Sequence, residues 1–178
     1  VAQGDGTYQV DLLREYAVGG SKPNGGYLLA CLGRAALAAA RSAGSGHEHV
    51  IAAGAQYYSA LDLGPAVIET QVVRAGRTAT QVTTSISGSS GSGAGRLGVA
   101  AHFTLATLPP GSRPYWGGAE PPALPPIGDC APSAWGPPRG TTLRFDPATT
   151  LPRAPDGPVV TGGGEFRAWF TDDSRDPV

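Results

Sequence analysis

The stretch from about Gly26 to Ser42 constrains this chain more than any other. It carries Tyr27, Leu28, Leu29, Leu32, Ala35, Ala36 and Ala39 with only two charges, Arg34 and Arg41, and strand-like runs follow it in series. Apolar residues recurring every three or four positions predict an α-helix, which Gly44-Ser45-Gly46 stops. The segment is too short and too Ala-rich to span a bilayer. A helix with so few charges is expected to be covered on most sides, and a sheet wrapping around it would do so.

The runs around the helix read as strands. Thr7 to Tyr16 alternates weakly through Tyr8, Val10 and Leu12, and Val18 to Pro23 is a flexible approach to the helix. After the helix come Val50 to Leu61, Ala66 to Arg74, Thr78 to Ser87 and Leu97 to Leu108. In the last, Val99, Ala101, Phe103 and Leu105 fall on one face, with His102 and Thr104 on the other. Short connections between successive strands predict an antiparallel meander. The fold class expected is α+β, a long helix wrapped by an antiparallel sheet.

Composition limits how much of the chain this unit can be. With 27 Gly and 17 Pro in 178 residues, some of it is linker. The change comes at Pro109, where paired prolines continue to Pro137-Pro138 and leave no room for a helix or central strand. Thr141 to Phe145 and Gly164 to Phe170 then read as two further strands. The organisation expected is a domain over 1–108, a Pro-rich linker over 109–140, and two strands within 141–178 that cannot close a core by themselves. Trp116, Trp135 and Trp169 fall in or beyond the linker and are expected to pin it down.

A formal net charge of -1, spread without a run, argues against a nucleic-acid partner or an anionic membrane surface. Lys22 is the only lysine, a bias that a GC-rich genome produces without functional pressure. Cys31 and Cys130 form neither a metal spacing nor a disulfide framework, and no apolar run is long enough to span a membrane. The expectation is a soluble, cytoplasmic protein with no metal and no cofactor. His47-Glu48-His49 would be a metal thought only with a third ligand, and reads as a polar loop.

Pro23-Asn24-Gly25-Gly26-Tyr27-Leu28-Leu29-Ala30, followed by an Arg-Ala-Ala helix, resembles the acyl-CoA thioesterase family of double hotdog fold. Gln56-Tyr57-Tyr58 with Leu63-Gly64-Pro65 resembles that family's second strand and turn. Arg74-Ala75-Gly76-Arg77 resembles its hairpin, Ala100-Ala101-His102-Phe103 its fifth strand, and Asp129-Cys130-Ala131-Pro132 its linker. Phe166-Arg167-Ala168-Trp169-Phe170 with Asp176-Pro177 resembles the opening of the second repeat. The resemblance implies two hotdog repeats that hydrolyse fatty acyl-CoA without a covalent intermediate, using a water aligned by an Asp with Gln and Ser or Thr partners, mainly from the second repeat.

Site candidates follow. Asn24, Gly25 and Gly26 start the helix, where glycine lets substrate approach backbone and the first amides lack internal partners, so they suit an oxyanion role; the equal alternative is that the glycines serve only the turn and packing. Tyr27, Gln56, Tyr58 and His102 are the substrate-binding candidates, with helix and sheet accommodating the acyl chain. Tyr57 and Tyr58 point to opposite faces, so one packs inward. Relatives place His, then Arg-Pro, where this chain has Gln56, then Ser59-Ala60. The family's catalytic Asp would lie in the second repeat's helix, beyond Val178, and Asp172, Asp173 and Asp176 read as a solvated loop. The partner expected is acyl-CoA or another acyl thioester, together with another copy of the chain or a second-repeat segment. A non-catalytic acyl-binding or scaffold protein is the alternative. A hotdog hydratase would need a His and a carboxylate at the helix, which residues 24–30 lack.

Overall fold

The computed structural model describes residues 6–18, 20–89, 91–111, 113, 118, 120–133, 141–149 and 167–172. Trp116, Trp135, Phe166, Asp173 and Asp176 lie outside the described residues. The chain divides into two compact units, Val1–Arg113 and Pro114–Val178.

In the first unit, β1 (Thr7–Leu12) is followed by a 3-10 turn (Arg14–Tyr16) and a small hairpin of β2 (Ala17–Val18) and β3 (Lys22–Pro23) that leads into α1 (Gly25–Ser42). Then come β4 (His49–Tyr57), β5 (Gly64–Ala75), β6 (Thr80–Gly88) and β7 (Leu97–Ala106). Five strands form one sheet in the order β1-β5-β6-β7-β4, with every neighbouring pair antiparallel. The antiparallel expectation holds, but the meander is confined to β5-β6-β7. The strand after the helix, β4, pairs with β7 at the far edge, because β1 takes the place beside β5.

The residues that make this crossover possible are specific. Leu61, 1% exposed, is buried against Gly98 at the start of β7, where a Cβ would overlap its side chain. Around it, the Tyr58 amide donates to the Gly98 carbonyl at 2.8 Å, Ser59 Oγ to the Leu97 carbonyl at 2.6 Å, and the Arg96 guanidinium to the Ala60 carbonyl at 2.7 Å. Residues 58–60 thus satisfy polar groups that a crossing loop would otherwise leave bare.

The helix buries Leu28, Leu32, Ala35, Ala36, Ala39 and Ala40, a single stripe at helical spacing. Of these, Leu28, Leu32, Ala35, Ala36 and Ala40 pack with Ile68, Val82, Ile86, Val99, Ala101, Phe103 and Leu105 from the sheet. Each fully buried Leu contributes about 1.5–3 kcal/mol. The cover is one-sided rather than all-round: Ala30 is exposed along with Arg34 and Arg41, and Leu29, Leu37 and Ala38 are half-buried. The low charge of the helix reflects alanine's helix propensity as well as burial. The helix ends in a Schellman motif, with Gly44 at φ +79°, its amide on the Arg41 carbonyl and the Ser45 amide on that of Ala40. No helix among the described residues is long and apolar enough to cross a membrane.

The second unit holds β8 (Ala131–Pro132), β9 (Thr141–Phe145) and β10 (Ala168–Asp172), an antiparallel sheet in the order β10-β9-β8. The Pro-rich stretch therefore supplies a two-residue edge strand, the sheet position that tolerates proline. Trp169 does anchor this stretch, its indole N–H donating to the Pro125 carbonyl at 2.8 Å. Arg144 Nε donates to the Cys130 carbonyl at 2.9 Å, and the buried Asp146 carboxylate lies 3.3 Å from Arg167 Nε.

Gly98→Ala is expected to destabilise the first unit by about 1–3 kcal/mol through overpacking against Leu61. Gly54→Ala, where a Cβ meets nothing within 4 Å, should not destabilise. Urea midpoints of the two variants against wild type check this.

Candidate functional site

The amino end of α1 is the most tightly specified polar location in the first unit. Asn24 is its N-cap: the side-chain Oδ1 accepts the Gly26 amide at 2.7 Å, and its own amide donates to the Tyr16 carbonyl at 2.9 Å. The Gly26 amide is therefore occupied. The amides of Gly25 and Tyr27 have no partner among the described residues, and they point along the positive end of an 18-residue helix dipole.

Two aromatic contacts hold this end in place. The Tyr57 hydroxyl donates to the Gly25 carbonyl at 2.9 Å, and its ring lies so close that a Cβ on Gly25 would sit 3.2 Å from it. Tyr27 stacks on Tyr16 with centroids 4.6 Å apart, and its hydroxyl lies 3.4 Å from both the Leu13 amide and the Asp11 carbonyl. Burial pushes the Tyr27 phenol and the neighbouring Cys31 thiol up from their ordinary pKa values. Cys31 is thus held as a neutral thiol and is a poor nucleophile.

The other sequence candidates sit elsewhere. Val99, Ala101, Phe103 and Leu105 are buried under the helix, and directly opposite them on β4 stand Tyr57, Ala55, Ala53 and Val50. Directly opposed residues share a face, so these four look toward the helix side. Gln56, opposite Ala100, and His102, opposite Gly54, fall on the other face, where His102 also faces Thr83. Tyr58 lies just past the end of β4 and is 61% exposed. The first unit therefore does not gather Tyr27, Gln56, Tyr58 and His102 into one cleft. Tyr57 reaches the helix start instead, and the sequence signal for it was its phase with Ala53 and Ala55 along β4.

Two further polar groupings flank the helix. At the approach, Lys22 pairs with Asp62 of the crossover, whose carboxyl is held below the ordinary carboxylate range first by the hydrogen bond from Lys22 and then by its charge. Beyond the carboxyl end, the buried Thr80 hydroxyl meets Ser45 Oγ at 2.9 Å and His47 Nδ1 at 3.0 Å, while His49 Nδ1 accepts the Leu108 amide at 3.2 Å. His47 thereby fastens the loop after the helix to β6, and His49 ties the start of β4 to the segment after β7. Among the described residues no three His, Cys, Asp or Glu side chains gather to hold a metal.

The interior between helix and sheet is filled: Leu32, Ala36, Ile86, Val99 and Leu105 have no exposed surface. Apolar surface left open on the helix side of β4 includes Val50, 39% exposed, and Tyr57, 53% exposed, and Leu29 and Leu37 on the helix are half-buried. Elsewhere in the first unit Leu13, Val18, Ile51, Tyr58, Val73, Leu97 and Leu108 are exposed.

Residues 12–107 match the family model of the acyl-CoA thioesterase N-terminal domain. No curated protein matches the chain. Among solved structures, a candidate thioesterase II from Thermobifida fusca YX is 32% identical, with a TM-score of 0.65 over 84% of this chain and 52% of that one. A candidate thioesterase from Novosphingobium aromaticivorans is 23% identical, TM-score 0.67, over 97% and 64%. A hot dog fold protein of unknown function from Alicyclobacillus acidocaldarius is 19% identical, TM-score 0.56, over 82% and 52%. The last two likenesses show the fold, which is the hotdog fold. The chain spans about half to two-thirds of the length of these proteins.

Two outcomes test the geometry. Asn24→Ala should cost about 0.5–2 kcal/mol by removing the cap, read from chemical denaturation. Lys22→Met should raise the Asp62 pKa toward the ordinary carboxylate value, followed by NMR titration of the carboxyl carbon. Because the folded pKa is the lower one, whatever stability the pair contributes is present above the ordinary carboxylate pKa. It is lost as pH falls through the depressed value. The gap between wild type and Lys22→Met should therefore close in acid and shrink with added salt.

Proposed function

Because this chain belongs to the acyl-CoA thioesterase family, matching the model of its N-terminal domain over residues 12–107, we propose that the complete protein hydrolyses fatty acyl-CoA or related acyl thioesters by direct attack of water. The observation that supports this most is the start of α1, where two unpartnered amides stand at the positive end of a long helix. When water adds to a thioester carbonyl, negative charge gathers on the oxygen. Preorganised N–H donors are worth most at that moment. The Gly25 and Tyr27 amides are the donors in this reading. Asn24 holds the Gly26 amide.

The tetrahedral species then collapses with loss of the thiolate, which takes up a proton, and releases the carboxylic acid. Thioester carbonyls are electrophilic enough that donors and one water-orienting carboxylate suffice. In our reading residues 1–108 are a hotdog domain, 109–140 a linker, and 141–178 the opening strands of a second repeat, which supplies that carboxylate. The acyl chain lies along the open helix-side face of β4 from Tyr57 toward Val50, since the helix–sheet interior is filled. The uncharged, exposed β4 edge also supports pairing there with a second hotdog unit, from the same protein or another copy. Two free cysteines suit the cytoplasm.

The test is thiol release from acyl-CoA esters spanning short to long chains, using the full-length gene product. Turnover of at least one ester is expected. Tight acyl-CoA binding with no thiol released at any chain length would instead establish a binding or scaffold protein.

A further inference from the structure

We propose that Tyr57 is a positioning residue for this hydrolysis, an inference that rests on the thioesterase reading above. The first turn of a helix is its loosest part, because its leading amides have no intrahelical partners to fix their direction. Here the Asn24 side chain ties down the Gly26 amide from within the turn. Tyr57 is the tie from outside. Its hydroxyl reaches from β4 across to the Gly25 carbonyl at 2.9 Å, and a carbonyl held at one end of a peptide plane fixes the amide at the other. That amide is the one on Gly26, which lies between the two unpartnered donors of Gly25 and Tyr27. Holding that plane fixes the Cα atoms of Gly25 and Gly26, to which the two donor planes are joined, and the Leu28 amide on the Asn24 carbonyl at 3.0 Å holds the Gly25 donor's own plane.

Two features separate this contact from ordinary packing. Tyr57 is 53% exposed, so its ring contributes little to the core and its hydroxyl could be satisfied by water. Gly25 leaves the space that the ring occupies, since a Cβ there would lie 3.2 Å from the ring's Cε1. The pair thus fits closely at the helix start while Tyr57 stays about half exposed. Its role is orientation of the donors, and an error of about 1 Å in such groups costs up to roughly a hundredfold in rate.

The experiment compares the full-length protein with Tyr57→Phe and Gly25→Ala. Tyr57→Phe keeps the ring and loses the hydroxyl, and is expected to lower kcat about tenfold with KM and thermal midpoint unchanged. Gly25→Ala, by displacing the same ring, should lower kcat to a similar extent. The double variant should be no worse than the poorer single, since both break one contact. A kcat for Tyr57→Phe equal to wild type overturns the proposal, as does a loss of activity that tracks a fall in thermal midpoint. Absence of any thiol release by the wild-type protein overturns the thioesterase reading itself, a result distinct from either.

Discussion

Burial of one apolar stripe of α1 on β5, β6 and β7 is the interaction from which the rest of the first unit follows. Leu32, Ala36 and Ala40 are fully buried, and a Cβ added at Gly33 would lie 3.4 Å from the Phe103 ring. Small residues on the helix allow close approach, so the two layers interlock with no exposed surface at the centre. In the proposed reading this close packing leaves the helix end and the helix-side face of β4 as the places for the substrate.

The sequence showed the helix almost to the residue, because a glycine-rich start, an Ala/Leu stripe and a Gly stop are local signals. The faces of β7 were equally legible: the alternation from Val99 to Leu105 matches the buried set. Strand order was not. Two antiparallel strands in succession look the same in sequence whether they pair or cross, and the choice rests on Leu61 fitting above Gly98, a contact between residues 37 positions apart with no local signature. The site candidates were split for a related reason. Alternation tells that adjacent residues face apart, but only register tells that Tyr57 shares the helix face while Gln56 and His102 do not.

The second unit was legible in part. Thr141–Phe145 is a strand as expected, and β10 begins at Ala168 within the run expected from Gly164. Its distinctive features are side-chain ties from the strands back to irregular backbone: Trp169 to Pro125 and Arg144 to Cys130. Pro-rich backbone has few donors of its own, so its carbonyls are satisfied by long side chains reaching to them. Composition announces such a stretch but not which tryptophan or arginine will reach it.

Tyr57 links the helix start to the architecture of the sheet. It stands on β4, a nine-residue edge strand with one side paired to β7 and the other open. A strand added at that edge would run about 4.8 Å from β4, close enough to shift the twist of β4 and with it the aim of the Tyr57 hydroxyl. The crossover that puts β4 at the edge is fixed by Leu61 and Gly98, so the packing that sets strand order also sets which residue meets the helix. Under the proposed function, pairing of a second unit at this edge would therefore change the geometry of the donor amides.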